Sequence, residues 1–162
     1  MTPFFAFFFL FLLGFVVYLS LTADHLFHFP PPIRRPWNYA IALPLLLGGF
    51  LLWAWSVLQF LRAQGTPVPT SPPPTLVDTG PYAYVRNPML SGVFIMLFGV
   101  GFLLNSFSLI FFLAPIFVIG CLLEFKLIEE PELERRLGEN YRAYKAHTPL
   151  LIPKLFSRKR PK

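Results

Sequence analysis

Four long stretches of this chain carry no charged residue: 3–22, 39–61, 89–104 and 109–123. A helix rises about 1.5 Å per residue, so the first two are long enough to cross a hydrocarbon layer about 30 Å thick. The other two are roughly 15 residues each, marginal for a crossing taken singly. Only Asn105-Ser106-Phe107-Ser108 separates them. A backbone cannot end unpaired inside lipid, so this polar turn belongs at an interface and the pair reads as a tight helical hairpin. The expected fold is all-α and integral to a membrane. It has four transmembrane helices, the last two a hairpin, and a C-terminal amphipathic helix on the cytoplasmic side.

Composition supports lipid as the solvent. Hydrophobic residues make up 55% of the chain and charged ones only 14%, well short of what covers a soluble surface. No Lys or Arg precedes the first run, so it reads as a span and not as a signal peptide. Trp53 and Trp55 lie near the end of the second run, where amphipathic rings favour the interface. Pro44 and Pro115 fall inside spans and should kink them or free a carbonyl. Gly48-Gly49, Ser91-Gly92 and the pair Gly99 and Gly101 would let helices approach closely. A single cysteine, Cys121, excludes an intramolecular disulfide.

Lys and Arg concentrate after the last span, from Arg135 to Lys162. The positive-inside rule places that segment in the cytoplasm. With four spans, the N-terminus and the loop 62–87 share that side. Arg34 and Arg35 in the opposite loop are a weak counter-signal. Much of the net charge of +6 is then a basic flank facing anionic headgroups, and the expected partner is the bilayer, not nucleic acid.

One membrane domain, 1–162, accounts for the whole chain. Residues 1–75 hold two N-terminal spans and a Pro-rich linker, 76–153 hold the core with the polar clusters, and 154–162 form a basic tail. The linker at 66–74 should be extended and semi-rigid, and the end at 158–162 disordered. Between span and tail, Pro131 suits a helix start. Leu133, Leu137, Tyr141 and Tyr144 then recur at helical steps and form one apolar stripe, bent at Gly138 and ended by Thr148-Pro149.

Two polar clusters sit at helix ends on the same expected side. The first, residues 80–88, reads Gly-Pro-Tyr-Ala-Tyr-Val-Arg-Asn-Pro. Asn87 followed by Pro88 is an N-cap and first-turn pair. The free N–H groups of that helix start, together with Arg86, suit an anion. The second cluster is Glu129-Glu130-Pro131, just beyond the fourth span. The hairpin should return both clusters to one place, where a cationic half and an anionic half suit a zwitterionic ligand. Arg86 also fits a plain positive-inside anchor, and the two glutamates fit a solvated helix start. Asp24, His25 and His28 lie far from these clusters and lack a further strong ligand, so no metal is expected. His147 reads as an ordinary surface histidine.

The run GPYAYVRNPMLSG, followed about 35 residues on by EEPELERRLGENYRAY, resembles the isoprenylcysteine carboxyl methyltransferase and phospholipid methyltransferase family of membrane proteins. The resemblance covers roughly residues 76–153, and the first two spans match only as hydrophobic helices. It implies an enzyme that uses S-adenosyl-L-methionine without a Rossmann domain, and no GxGxxG follows a strand here. By position, Arg86, Asn87 and Pro88 match the family's Arg-His-Pro, and Glu129 and Glu130 match its acidic pair. Asn87 stands where His is usual and Leu90 where Tyr is common.

On that resemblance the catalytic residues are Arg86 and Glu130. Tyr82, Tyr84, Arg86, Asn87, Pro88, Glu129, Glu130 and Tyr141 would hold the cofactor. Arg86 would take its carboxylate, a glutamate its ammonium, and the tyrosines its adenosine. The acceptor would be lipophilic, with an isoprenylcysteine-type carboxylate or a thiol, at the cytoplasmic face of a bacterial inner membrane. A phospholipid N-methyltransferase and a non-catalytic scaffold with the same hairpin are the alternatives.

Overall fold

The computed structural model describes residues 2–63 and 76–151, and they form helices without any strand. Helix α1 spans Thr2–Phe27, α2 Trp37–Arg62 and α3 Pro88–Leu104. A 29-residue helix, Leu109–Leu137, follows. It contains α4, Ala114–Glu124, and α5, Glu130–Leu137, and α6, Glu139–His147, closes the fold. The linker stretch 66–74 and the basic end 158–162 lie outside the described residues.

Among the described residues, three helices are long and apolar enough to cross a membrane: Phe7–Phe27, Trp37–Arg62 and Leu109–Leu137. Helix α3 is a shorter apolar helix of 17 residues, at the lower end of what spans a bilayer. Phe7, Leu10, Leu43, Leu47, Ile116 and Leu127 each remain at least 60% exposed. An apolar exterior of this extent is not tolerated in water but is matched by lipid. The inward core is correspondingly small. It centres on Leu97, Leu109 and Ala114, with Leu13, Val16, Val17 and Phe117 packed around them.

Helices α2 and α3 pack almost backbone to backbone. A Cβ on Gly92 would sit 2.8 Å from the Gly49 carbonyl oxygen and 2.9 Å from the Trp53 nitrogen, and one on Gly99 would meet Leu46 at 2.9 Å. Gly48 faces open space instead, so only one residue of that glycine pair serves the contact.

The hairpin turn is tighter than the four residues between the two runs imply. Asn105 adopts the left-handed conformation as the C-cap of α3, and the next helix is under way at Phe107. The turn is fastened to the α1–α2 connection. Asn105 Nδ2 donates to the Ile33 carbonyl at 2.8 Å, and Asn38 Nδ2 donates to those of Phe102 and Leu103. Asp24, in the last turns of α1, accepts from Ser106 Oγ and from the Ser108 amide. Because Asp24 reaches this turn, α1 continues past Thr22 into the stretch expected as loop.

The other departure concerns the fourth run. A helix end near Leu123 and a fresh start at Pro131 are replaced by one continuous helix. Two π-helical segments, Leu109–Leu113 and Phe125–Glu129, make this possible. Each lies just before a proline, Pro115 or Pro131. Proline cannot donate to the carbonyl four residues back, and a local switch to wider i→i+5 bonding absorbs that break without ending the helix.

Candidate functional site

The second π segment decides which glutamate faces inward. The extra residue in that turn changes the helical phase, so Glu129 ends exposed while Glu130 is buried with 5% of its surface accessible. Glu130 points at the mouth of α3. Arg86 Nη1 lies 3.3 Å from Glu130 Oε1, with both side chains nearly out of solvent. The hairpin thus returns the two sequence clusters to each other, as a direct ion pair.

Two further groups complete the cluster, both from α6. Arg86 Nη1 donates to the Tyr141 hydroxyl at 3.4 Å. Lys145 forms an ion pair with the same oxygen of Glu130, and a second one with Glu134 Oε1 at 2.8 Å. Gly138 makes this possible, since at φ +58° it turns the chain between α5 and α6 in a conformation costly for any residue with a Cβ. Tyr141 and Lys145 are four apart, and therefore share the face of α6 that looks at Glu130.

The α3 mouth is built as the sequence suggests, with one change of consequence. Asn87 Oδ1 accepts from the Leu90 amide at 3.1 Å as an N-cap, and Pro88 occupies the first turn, buried. The amides of Arg86 and Asn87, however, donate to the carbonyls of Pro149 and Leu150 at 2.8 and 3.2 Å. The C-terminal strap thus takes the two amides just ahead of the helix start, and the charged group offered to an anion here is the Arg86 guanidinium. Its buried Nε has no hydrogen-bond partner among the described residues. A buried donor without an acceptor is unfavourable, and a ligand carboxylate would relieve it.

The tyrosines divide. Tyr82 is buried on the 3₁₀ turn Gly80–Ala83, its ring 5.2 Å from that of Phe60. Burial pushes its hydroxyl pKa far above the ordinary value, aided by Tyr144 and Glu129. Burial also raises Tyr141, with Arg86 opposing it in part. Tyr84 is 63% exposed. The structure therefore brings together Arg86, Asn87, Pro88, Glu130 and Tyr141, joins Tyr82 to them through Tyr144, and leaves Tyr84 exposed and Glu129 accessible but close enough to Tyr82 to bear on its hydroxyl.

Sequence reasoning missed Lys145 and the Tyr144 hydroxyl, which donates to the Tyr82 carbonyl at 2.6 Å. The only signal was helical spacing from Tyr141, masked by the general basicity of the tail. Among the described residues there is no cluster of His, Cys, Asp and Glu able to hold a metal.

A family model described as phospholipid methyltransferase matches residues 37–140, more than half of the chain. No curated protein and no solved structure matches it.

Proposed function

Because the chain belongs to the phospholipid methyltransferase family, we propose that it is an S-adenosyl-L-methionine-dependent methyltransferase acting on a lipophilic acceptor at the cytoplasmic face of its membrane. The carrying observation is the Arg86–Glu130 pair at 3.3 Å, formed by residues 44 positions apart at two helix ends. A zwitterionic amino-acid group fits such a pair by exchange. Its carboxylate takes Arg86, including the unpartnered Nε, and its ammonium takes Glu130. Each half then keeps an opposite charge, as burial demands.

When bound, the cofactor supplies a methyl group made electrophilic by a sulfonium. The remaining work is positional. Arg86 and Glu130 would fix one end of the ligand, with Tyr82, Tyr141 and the capped start of α3 as the groups nearest to its remainder. Orientation and exclusion of water supply most of the acceleration such a transfer needs. An isoprenylcysteine-type carboxylate acceptor is already ionised and requires no base, whereas a thiol or amine must lose a proton first. In this reading helix α3 is a fourth crossing beside the three longer helices, so both termini share one side, which the basic C-terminal flank assigns to the cytoplasm of a bacterial inner membrane.

Membership of the phospholipid methyltransferase family favours a second acceptor, the amine of a phospholipid headgroup. One experiment addresses both. Protein purified in detergent is titrated with S-adenosylhomocysteine, and a saturable rise in melting temperature is expected. Membranes given methyl-labelled cofactor then report the acceptor. Base-labile label marks an ester, headgroup label an amine, and volatile label a thioether. No thermal shift and no label in any fraction would overturn the enzyme reading.

A further inference from the structure

We propose that Lys145 is a built-in competitor for the ligand's ammonium, and that Glu134 is the berth it moves to when ligand binds. The inference rests on the cofactor reading above and adds a regulatory residue to it. Lys145 Nζ pairs with Glu130 Oε1, the oxygen that also faces Arg86, and with Glu134 Oε1 at 2.8 Å. Glu130 is the buried carboxylate of the site, with its side chain 7% exposed, whereas Lys145 remains 40% exposed. An ammonium that approaches Glu130 must therefore displace one already there.

Displacement is inexpensive only because Glu134 stands one helical turn further along α5 and already holds the same nitrogen. Lys145 can give up Glu130 without becoming an unpaired cation, which limits the electrostatic cost. The side chain is long and partly in solvent, so the exchange needs rotamer changes and no movement of α6. In ligand-free protein the same contact gives Glu130 a second cation beside Arg86. Lys145 thus lowers apparent affinity by the fraction of time it occupies Glu130. Arg142 also reaches this row of charges, at 4.0 Å from Glu134 and 2.6 Å from Glu139, so Glu134 keeps a cation beside it when Lys145 is away.

The test uses the full-length protein in detergent and reads the dissociation constant of S-adenosylhomocysteine by calorimetry. Lys145→Met should tighten binding by roughly 3- to 30-fold, the range expected when a competing internal state is removed. Glu134→Gln should weaken binding, because Lys145 then has only Glu130 to pair with. The decisive readout is the double variant. In the Lys145→Met background, Glu134→Gln should have no further effect, a coupling that a purely structural role for either residue would not produce. Lys145→Gln is measured alongside and should also tighten binding. Unchanged or weaker binding by both Lys145 variants, or an undiminished Glu134→Gln effect without Lys145, would overturn the latch. Loss of all binding in the wild-type protein would overturn the cofactor reading itself.

Discussion

Tyr144 donates its hydroxyl to the main-chain carbonyl of Tyr82 at 2.6 Å, across 62 residues of sequence, with both side chains buried. That bond ties α6 to the turn leading into α3, and so sets the distance between Lys145 and the Arg86–Glu130 pair. Tyr144→Phe keeps the ring and leaves the carbonyl without its donor. A loss of about 1–3 kcal/mol is expected from an unsatisfied buried acceptor, read as a lower melting temperature. S-adenosylhomocysteine affinity should fall as well, since the cluster loosens.

Glu130→Ala leaves the nearly buried Arg86 without its carboxylate, while Lys145 keeps Glu134. Removing one member of a buried ion pair costs about 3–5 kcal/mol, whereas replacing both with apolar residues is often neutral. Glu130→Leu combined with Arg86→Met should therefore be more stable than Glu130→Ala alone. Both proteins should be inactive. Equal melting temperatures for the single and double variants would show that the pair is not electrostatically closed.

Much of this arrangement is legible in the sequence, for physical reasons that also mark the limit. Uncharged runs, the Asn87-Pro88 cap, the polar hairpin turn and the Gly138 bend are local signals, each read from composition or backbone chemistry within a few residues. The continuity of Leu109–Leu137 is not local in that sense. The uncharged run reads as ending at 123 and Pro131 as a new start, because a π turn leaves no mark in a 3.6-residue period. The phase it sets, which buries Glu130 and exposes Glu129, was illegible for the same reason. The strap from Pro149 and Leu150 onto Arg86 and Asn87 uses main-chain groups, which have no side-chain signature at all.

Gly48 and Gly92 offer a matched pair of substitutions. Gly92→Ala forces a methyl against the backbone of α2, with contacts of 2.8 and 2.9 Å to atoms that cannot rotate away. The helices must separate, and the start of α3 carrying Arg86 moves with them. Gly48→Ala meets nothing within 4 Å, and gains helix propensity of about 0.5–1 kcal/mol. The first should lower the melting temperature and the second should hold or raise it. A reversal of that order would mean the α2–α3 contact is not the one described.

Alkaline pH should loosen the site before it affects the spans. Burial raises the Tyr82 and Tyr141 hydroxyls, and hydrogen bonds to Glu130 and then Glu134 raise Lys145. In each case the folded pKa exceeds the unfolded value of about 10. The folded state then holds more protons, and stability falls as pH rises past that point. The contribution is complete below about pH 10 and declines above it. Melting temperatures from pH 8 upward should bend downward there. Tyr82→Phe should remove one late-ionising phenol from an ultraviolet titration.

Asp24 makes the last case, because it acts at the opposite end of the hairpin from Arg86. Its Oδ1 accepts from the Ser108 amide at 2.8 Å and its Oδ2 from Ser106 Oγ at 2.5 Å, so a residue of α1 caps the long helix. Ser106 Oγ in turn accepts from the Leu109 amide at 3.2 Å. Asp24→Ala strips a charged acceptor from two donors, a loss of about 1.5–3 kcal/mol on the scale of hydrogen bonds to charged groups. Asp24→Asn keeps one carbonyl oxygen for the Ser108 amide and should cost less. Since this end shares no partner with Glu130, ligand affinity at a temperature where all variants are folded should be unchanged. A large affinity loss with Asp24→Ala would mean that the hairpin turn and the Arg86–Glu130 cluster are coupled through the long helix.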